Sequence, residues 1–391
     1  MPTTARRSVG TRVASARLAR GMTQQDLATA SQVSLSMVRK VEQGSRIPSD
    51  GVVQAIASVL RLDPARLWGE DATTGARIHD AIPALRSVID AYDCPADGPV
   101  RPLAQLHSIV NSAVMWRLSA RYSRLAETMP ACIAELIRAV HATTGPERVQ
   151  AAALLTAAYR SVDGVAFKYG YHDLSARLIE LMRHTATVAN DDLLIASTVY
   201  VRMETFFASG DLRTGLRLLD RAADVIAAPS APRATAVLGA IQMRAAVAAG
   251  RIGDATAARG YLREAHSLAA GVPDGVYYGT AFGPASLKIH ELSVAVELGD
   301  APGALDAARG WLPPVDLPAE RRSHYFIDLA RAQLWSGYRE RAVESLQTAR
   351  QIAPQHVREH RHARQTLERL VQLHRKPSAQ LVSLAHWAKV V

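Results

Sequence analysis

The chain has 391 residues, 48% hydrophobic and 21% charged, with a formal net charge of +10. At roughly 150 residues per domain that length predicts two or three units with a sizeable core. No window of about 18 uninterrupted apolar residues occurs, and the basic N-terminus lacks an apolar segment, so neither a membrane span nor a secretory leader is expected and a cytoplasmic location is. Two cysteines, Cys94 and Cys132, without CxxC spacing, exclude a disulfide framework and a cysteine metal site.

The charge is unevenly placed. Residues 1–49 hold eight Lys or Arg, Arg6 and Arg7 among them, against only Asp26 and Glu42. That concentration points to a polyanion partner. A second basic run, Arg339 to Lys376, reads as a solvated helix face. Arginine far outnumbers lysine and alanine is abundant, the usage of GC-rich bacterial coding.

In chain order, Val9 to Arg20 predicts a first helix with Val13 and Ala16 for the core. Thr23 followed by Asp26 forms a capping-box signal for a second helix that ends near Ala30. After Ser31-Gln32-Val33, Ser34 is another N-cap candidate, and Ser34, Met37, Val38 and Val41 form one inward stripe. The opposite side carries Leu35, Ser36, Arg39, Lys40 and Gln43. A fourth helix follows Pro48, with Val52, Val53, Ile56, Val59 and Leu60 as its stripe. Asp63-Pro64 then opens a fifth that ends at Leu67-Trp68. A short amphipathic helix packed on a shorter one, with basic residues outward, has the shape that enters a DNA major groove.

The run Arg17-x-x-x-Gly21-Met22-Thr23-Gln24-x-x-Leu27-Ala28, then Val33-Ser34, Val38, Val41-Glu42-x-Gly44 and Pro48, resembles the Cro/repressor-type helix-turn-helix (XRE) family over Val9 to Trp68. The resemblance implies that Gln24 touches a phosphate and that Leu35, Ser36, Arg39 and Lys40 face base edges or backbone. Gln25, Ser34, Ser45 and Arg46 complete the implied contact set, and Arg17 is implied to pair with Glu42. The family usually has Gly in the turn where this chain has Gln32, and Gln meets a steric cost in the left-handed conformation, so a tilted or looser turn is expected.

The expected domains are 1–69 for this head, 70–76 as a small polar linker, and 77–391 as a helical remainder without strands. Breaks are expected at Asp93–Pro99, Thr143–Pro146, Pro229–Pro232, Gly271–Gly275 and Leu312–Pro318. Five segments align on Gly170, Gly210, Gly250, Gly299 and Gly337, each followed five residues later by a small residue: Ser175, Gly215, Ala255, Ala304 and Ala342. This predicts helical hairpins with a glycine at each turn and a close crossing beside it, stacked as a solenoid. In the last unit Phe326, Leu329, Ala330, Gly337, Ala342, Leu346, Ala349 and Pro354 resemble a tetratricopeptide repeat. The expected fold is therefore all-α, a five-helix head followed by an α-solenoid.

No phosphate loop, GxGxxG, GxSxG or ordered nucleophile–base spacing is present, and neither an enzyme nor a cofactor is expected. His356-Val357-Arg358-Glu359-His360 fits H-x-x-E-H with both imidazoles on one helix face, but a zinc site needs a third protein ligand. A solvated face and no metal are expected, with His362 and His374 as further imidazoles nearby. In stacked hairpins the first helix of each pair lines the concave surface. Aromatic and charged residues of the repeats, among them Tyr159, Phe206, Tyr277, Tyr278 and Phe282, are candidates for it. The ligand set expected from these is Arg160, Phe167, Tyr200, Glu204, Arg244, His324 and Arg331.

The pairing of such a head with such repeats resembles the peptide-responsive quorum-sensing regulators of Gram-positive bacteria and related regulators of high-GC relatives. That resemblance implies a homodimeric, sequence-specific transcriptional regulator on a palindromic operator, tuned by a small-molecule or peptide effector. Those regulators hold peptide largely with asparagines, whereas this chain has only Asn111 and Asn190. The rival expectation is a scaffold whose repeats bind a partner protein while the head tethers it to DNA. Leu35 and Ser36, which lack the bidentate reach of Gln, Asn or Arg, favour it.

Overall fold

The computed structural model describes residues 9–46, 48, 50–60, 67, 72–226, 231–374 and 377–390. Arg6, Arg7, the start of the fifth helix at Asp63-Pro64, Trp68, the Pro229 end of one break and Lys376 lie outside them. Two compact units divide the chain, Met1–Asp80 and Ala81–Val391. The boundary therefore falls beyond the expected linker, and residues 72–76 begin a helix, Ala72–Asp90.

In the head, α1 (Val9–Ala19), α2 (Gln24–Ser31), α3 (Leu35–Glu42) and α4 (Asp50–Val59) surround one core. Val13, Leu27, Ala28, Val38, Val41, Val53, Ile56, Leu60 and Leu67 fill it. Both expected caps form. The Thr23 hydroxyl accepts from Asp26 N while the Asp26 carboxylate accepts from Thr23 N, and Ser34 Oγ accepts from Met37 N. Gln32 takes the left-handed conformation itself, at φ 55° and ψ 26°. Its N–H and that of Val33 bond back to the last turn of α2, closing the turn without glycine. Such a residue costs about 1–2 kcal/mol of backbone strain, offset here by the hydrogen bonds.

The second unit is helical hairpins in sequence. Their first helices are Gly145–Lys168, Asp192–Ser209, Pro232–Ile252, Pro284–Glu297 and Ala319–Trp335. Each lies against the first helix of the next hairpin. The second helices are His172–Val188, Leu212–Val225, Ala255–Ala269, Ala301–Ala307 and Arg339–Ile352. Gly170, Gly210, Gly299 and Gly337 have positive φ at the turns, as expected. Gly250 does not: the helix runs on to Ile252, and Gly253 turns the chain at φ 85°. The small residue five places on is then Ala258, fully buried like Ala304 and Ala342, rather than Ala255. Upstream, Leu103–Leu118 and Tyr122–Ala142 form a pair whose first helix also touches Ala319–Trp335, so the row of first helices closes back on its own beginning.

One departure from the helical expectation is a β-hairpin, β1 (Gly275–Tyr277) paired antiparallel with β2 (Thr280–Phe282). Tyr278 and Gly279 both have positive φ, the pattern of a two-residue type I′ turn. A three-residue strand is too short for alternation to show in sequence, and its tyrosines suit a helix as well. The hairpin is held by packing: fully buried Phe282 sits so close to Gly239 on the Pro232–Ile252 helix that a Cβ there would lie 2.0 Å from Phe282 Cζ. Gly239→Ala is therefore expected to lower stability by about 1–3 kcal/mol through overpacking, although alanine is the better helix former. A thermal or urea denaturation curve matching wild type would contradict that contact.

Candidate functional site

The head presents α3 to solvent on one side and to the core on the other. Val38 and Val41 are buried, whereas Ser36, Arg39 and Lys40 are exposed. Leu35, expected on the outer face, packs partly into the core, and Ser34 is an exposed cap rather than part of the inward stripe. Gln25, Leu35 and Arg39 line one shallow groove. Beyond α3, Ser45 N, Arg46 N and Ser45 Oγ all donate to the Lys40 carbonyl, which folds the exposed Ser45-Arg46 loop against the end of the helix.

Behind α3 lies the expected ion pair. Arg17 Nε and Nη2 donate to the two Glu42 oxygens at 2.7 and 2.9 Å, and Arg17 Nη1 donates to the Met22 carbonyl. Gln24 Nε2 donates to the same carboxylate at 2.7 Å. Its amide is thus joined to the brace in this structure, while Gln24 also lines the groove that holds Gln25 and Arg39. Burial alone would raise the Glu42 carboxyl, but the bonds from Arg17 and Gln24 and the Arg17 charge outweigh it and hold it below the usual carboxylate range.

In the second unit a cavity of about 510 Å³ is bounded by the first helices. Arg160, Asp163 and Phe167 come from Gly145–Lys168; Tyr200, Glu204 and Phe207 from Asp192–Ser209; and Arg244 and Arg251 from Pro232–Ile252. His290, Ser293 and Glu297 follow from Pro284–Glu297, and Glu320, Arg321, His324 and Asp328 from Ala319–Trp335. The β-turn closes one wall: Arg160 Nη1 donates to the Tyr278 carbonyl at 2.7 Å, and Arg117 Nη2 donates to that of Gly279.

Tyr200 is the centre of the cationic end. Its hydroxyl accepts from Arg321 Nη2 at 2.7 Å, with the guanidinium carbons of Arg244 and Arg160 4.4 and 5.7 Å from its ring centroid. Burial would raise the phenol, but Arg321, Arg244 and Arg160 together bring it down to about 8. Arg160 is itself lowered to about 9, by burial first and then by Arg117 and Arg244. Burial and the neighbouring Glu204 push the Asp163 carboxyl well up. The carboxylates set against the arginines are Glu204, 3.4 Å from Arg244, and Glu320, whose burial is outweighed by Lys168, His356, Arg117 and Arg321, which hold it below the usual range. At the opposite end the chemistry is imidazole. His356 is 2% exposed, and with His324 and His360 it lines the cavity. The H-x-x-E-H segment is therefore an inner surface, which corrects the solvated face expected of it. Burial lowers all three imidazoles, which are neutral at neutral pH.

Residues 13–67 match the helix-turn-helix family. The head is a helix-turn-helix DNA-binding domain of the Cro/repressor type. That makes the chain a DNA-binding transcriptional regulator. No curated protein matches the chain. Among solved structures, PlcR of Bacillus thuringiensis, crystallised with the peptide PapR7 and DNA, is 14% identical over 67% of this chain and 94% of its own, at a TM-score of 0.30. The apo form of the competence regulator ComR of Streptococcus vestibularis is 10% identical over 68% of this chain and 99% of its own, at a TM-score of 0.22.

Of the residues expected at the ligand site, Arg160, Phe167, Tyr200, Glu204, Arg244 and His324 all line the cavity. Arg331 does not; it is spent on Glu297 at 2.9 Å and Asp328 at 3.2 Å. Tyr159 is buried in packing, and Tyr278 contributes its carbonyl rather than its ring. Sequence reading missed Arg117, Arg321, His290 and Glu320, which carry no local motif and are brought in only by the curvature of the array.

Two outcomes follow from these environments. Glu42→Ala leaves the Arg17 guanidinium partly buried without its carboxylate and should cost the helix-turn-helix domain about 1–3 kcal/mol. Because the folded carboxyl titrates below its unfolded value, that contribution is complete above the unfolded pKa and disappears as pH falls through the folded one. The melting temperatures of wild type and variant should accordingly converge in acid, and equal values at neutral pH would exclude the brace. Separately, a phenolate absorbance titrating near pH 8 should be present in the wild type and missing in Tyr200→Phe, while a wild-type protein with no tyrosine ionising below the ordinary range would refute the cationic environment.

Proposed function

We propose that this regulator acts as a homodimer on a palindromic operator in the bacterial cytoplasm, and that an anionic effector, a small molecule or a peptide, enters the cavity of its helical unit and changes operator affinity. The observation that carries the DNA half of the reading is the exposed Ser36, Arg39 and Lys40 surface of α3, braced from behind by Glu42. So few reading residues give modest discrimination from one head, which favours paired heads on half-sites one DNA turn apart, roughly 34 Å. Gln25, Ser34, Leu35, Ser45 and Arg46 serve as flanking contacts, and Gln24 acts through Glu42.

The effector half is supported by the crowding of Arg160, Arg244 and Arg321 round Tyr200, with Arg117 against Arg160. Arg160, lowered by its burial and by Arg117 and Arg244, gains when an anion arrives, and carboxylate or phosphate matches the forked donors of these side chains. A cavity of about 510 Å³ accommodates a drug-sized molecule or a few residues of peptide.

The recognition assignment is tested by fluorescence anisotropy on one operator at several salt concentrations. Arg39→Ala and Lys40→Ala should each weaken binding by about 1–3 kcal/mol where the side chain reads a base, or flatten the salt dependence where it meets a phosphate. Both variants binding like wild type at every salt concentration would sink the assignment.

A further inference from the structure

His356 and His360 sit four residues apart, and the folded chain adds a third imidazole from the preceding hairpin. His324 lies on the Ala319–Trp335 helix, His356 on the short Pro354–Glu359 helix, and His360 at the joint with the Arg361–Leu373 helix. One ring nitrogen of each lies within 4.8 Å of those of the other two. Ring centroids are 5.1 Å apart for His324–His360 and His356–His360, and 6.1 Å apart for His324–His356.

Two further features distinguish this cluster from aromatic packing. Ser323 Oγ donates to the Glu320 carbonyl and so accepts from His356 Nδ1 at 2.7 Å, which fixes the ring and leaves the Nε2 lone pair to bind, as outer partners of metal-bound histidines do. His360 Nδ1 is buried and has no hydrogen-bond partner among the described residues, a vacancy that a coordinate bond fills. The cations whose charge acts on His356 are already paired: Lys168 Nζ lies 2.6 Å from Glu320 Oε1, and Arg321 donates to Tyr200. The neighbouring group of Glu297, Asp328 and His362 is equally compact. It has no such vacancy, because Arg251 and Arg331 hold Glu297 while Arg331 and Ser293 hold Asp328.

We propose that His324, His356 and His360 bind one divalent transition-metal ion of the zinc class, with its remaining coordination position open to the cavity. Three imidazoles form a borderline-soft nitrogen set that favours such ions over magnesium or calcium. Three protein ligands with an open fourth position leave room for water or for a donor atom of a cavity ligand. All three residues line the cavity, so that position faces the same space as Tyr200.

The test uses the full chain, stripped with chelator and titrated with Zn2+ alone against a chromophoric competitor, without DNA. One zinc per chain is expected, with Mg2+ failing to compete and Co2+ giving the strong visible bands of a tetrahedral site. His324→Gln and His360→Gln should each weaken zinc binding by about 100-fold or more while circular dichroism stays that of wild type, and His374→Gln, outside the cluster, should leave it unchanged. Failure to retain zinc, or retention with wild-type affinity in both His324→Gln and His360→Gln, overturns the proposal. No step involves the effector or the operator, so this result stands or falls apart from the reading of the cavity as an effector site.

Discussion

Charge buried on the inner faces of the first helices has to be satisfied across helix boundaries, and the helical unit depends on that constraint. Lys168 meets Glu320, Arg244 meets Glu204, and Arg251 and Arg331 converge on Glu297. Each pair joins different helices, so slipping one hairpin past the next would strand several charges at once. Hydrophobic packing tolerates small shifts; unpaired buried charge does not. The small residues behind each turn, Ser175, Ala258, Ala304 and Ala342, bring the two helices of a hairpin close. The charges then fix how one hairpin follows another.

The head uses the same device on a smaller scale. Glu42 is the last residue of α3, and its carboxylate gathers Arg17 from α1 and Gln24 from the first turn of α2. One acidic group therefore ties three helices together, and Arg17 and Gln24, which it gathers, line the same groove as Arg39. An eight-residue helix has too little buried surface to hold its orientation alone. The brace supplies a direction that Val38 and Val41 by themselves leave free to rock.

Features written within a few residues were legible in the sequence. Thr23 with Asp26, Ser34 with Met37, and the turn glycines at 170, 210, 299 and 337 all depend on contacts of short range. Gly250 misled because the helix gains one more turn by running through to Ile252, and Gly253 suits the left-handed turn equally well. The β-hairpin was hidden because its existence rests on Phe282 reaching Gly239, a contact made by tertiary packing. Periodicity placed His356 and His360 on one helix face but carries no sign for in or out. That sign is set by His324 and Ser323, on another helix. Arg331 illustrates the reverse error: it lies on a first helix, as expected, yet two carboxylates claim it before a ligand can.

The cavity is chemically divided, and the division follows from which pairs close. Near Tyr200 the Asp163 carboxyl is pushed up and held by Ser175, so Arg117, Arg160, Arg244 and Arg321 are set against Glu204 and, from the far side, Glu320. At the other end burial keeps the imidazoles neutral, and they offer lone pairs instead of charge. Glu320 and Lys168 stand between the two and cancel. The Ala319–Trp335 helix contributes to both ends, through Arg321 and His324, so the placement of that one helix couples the arginine cluster to the imidazole cluster.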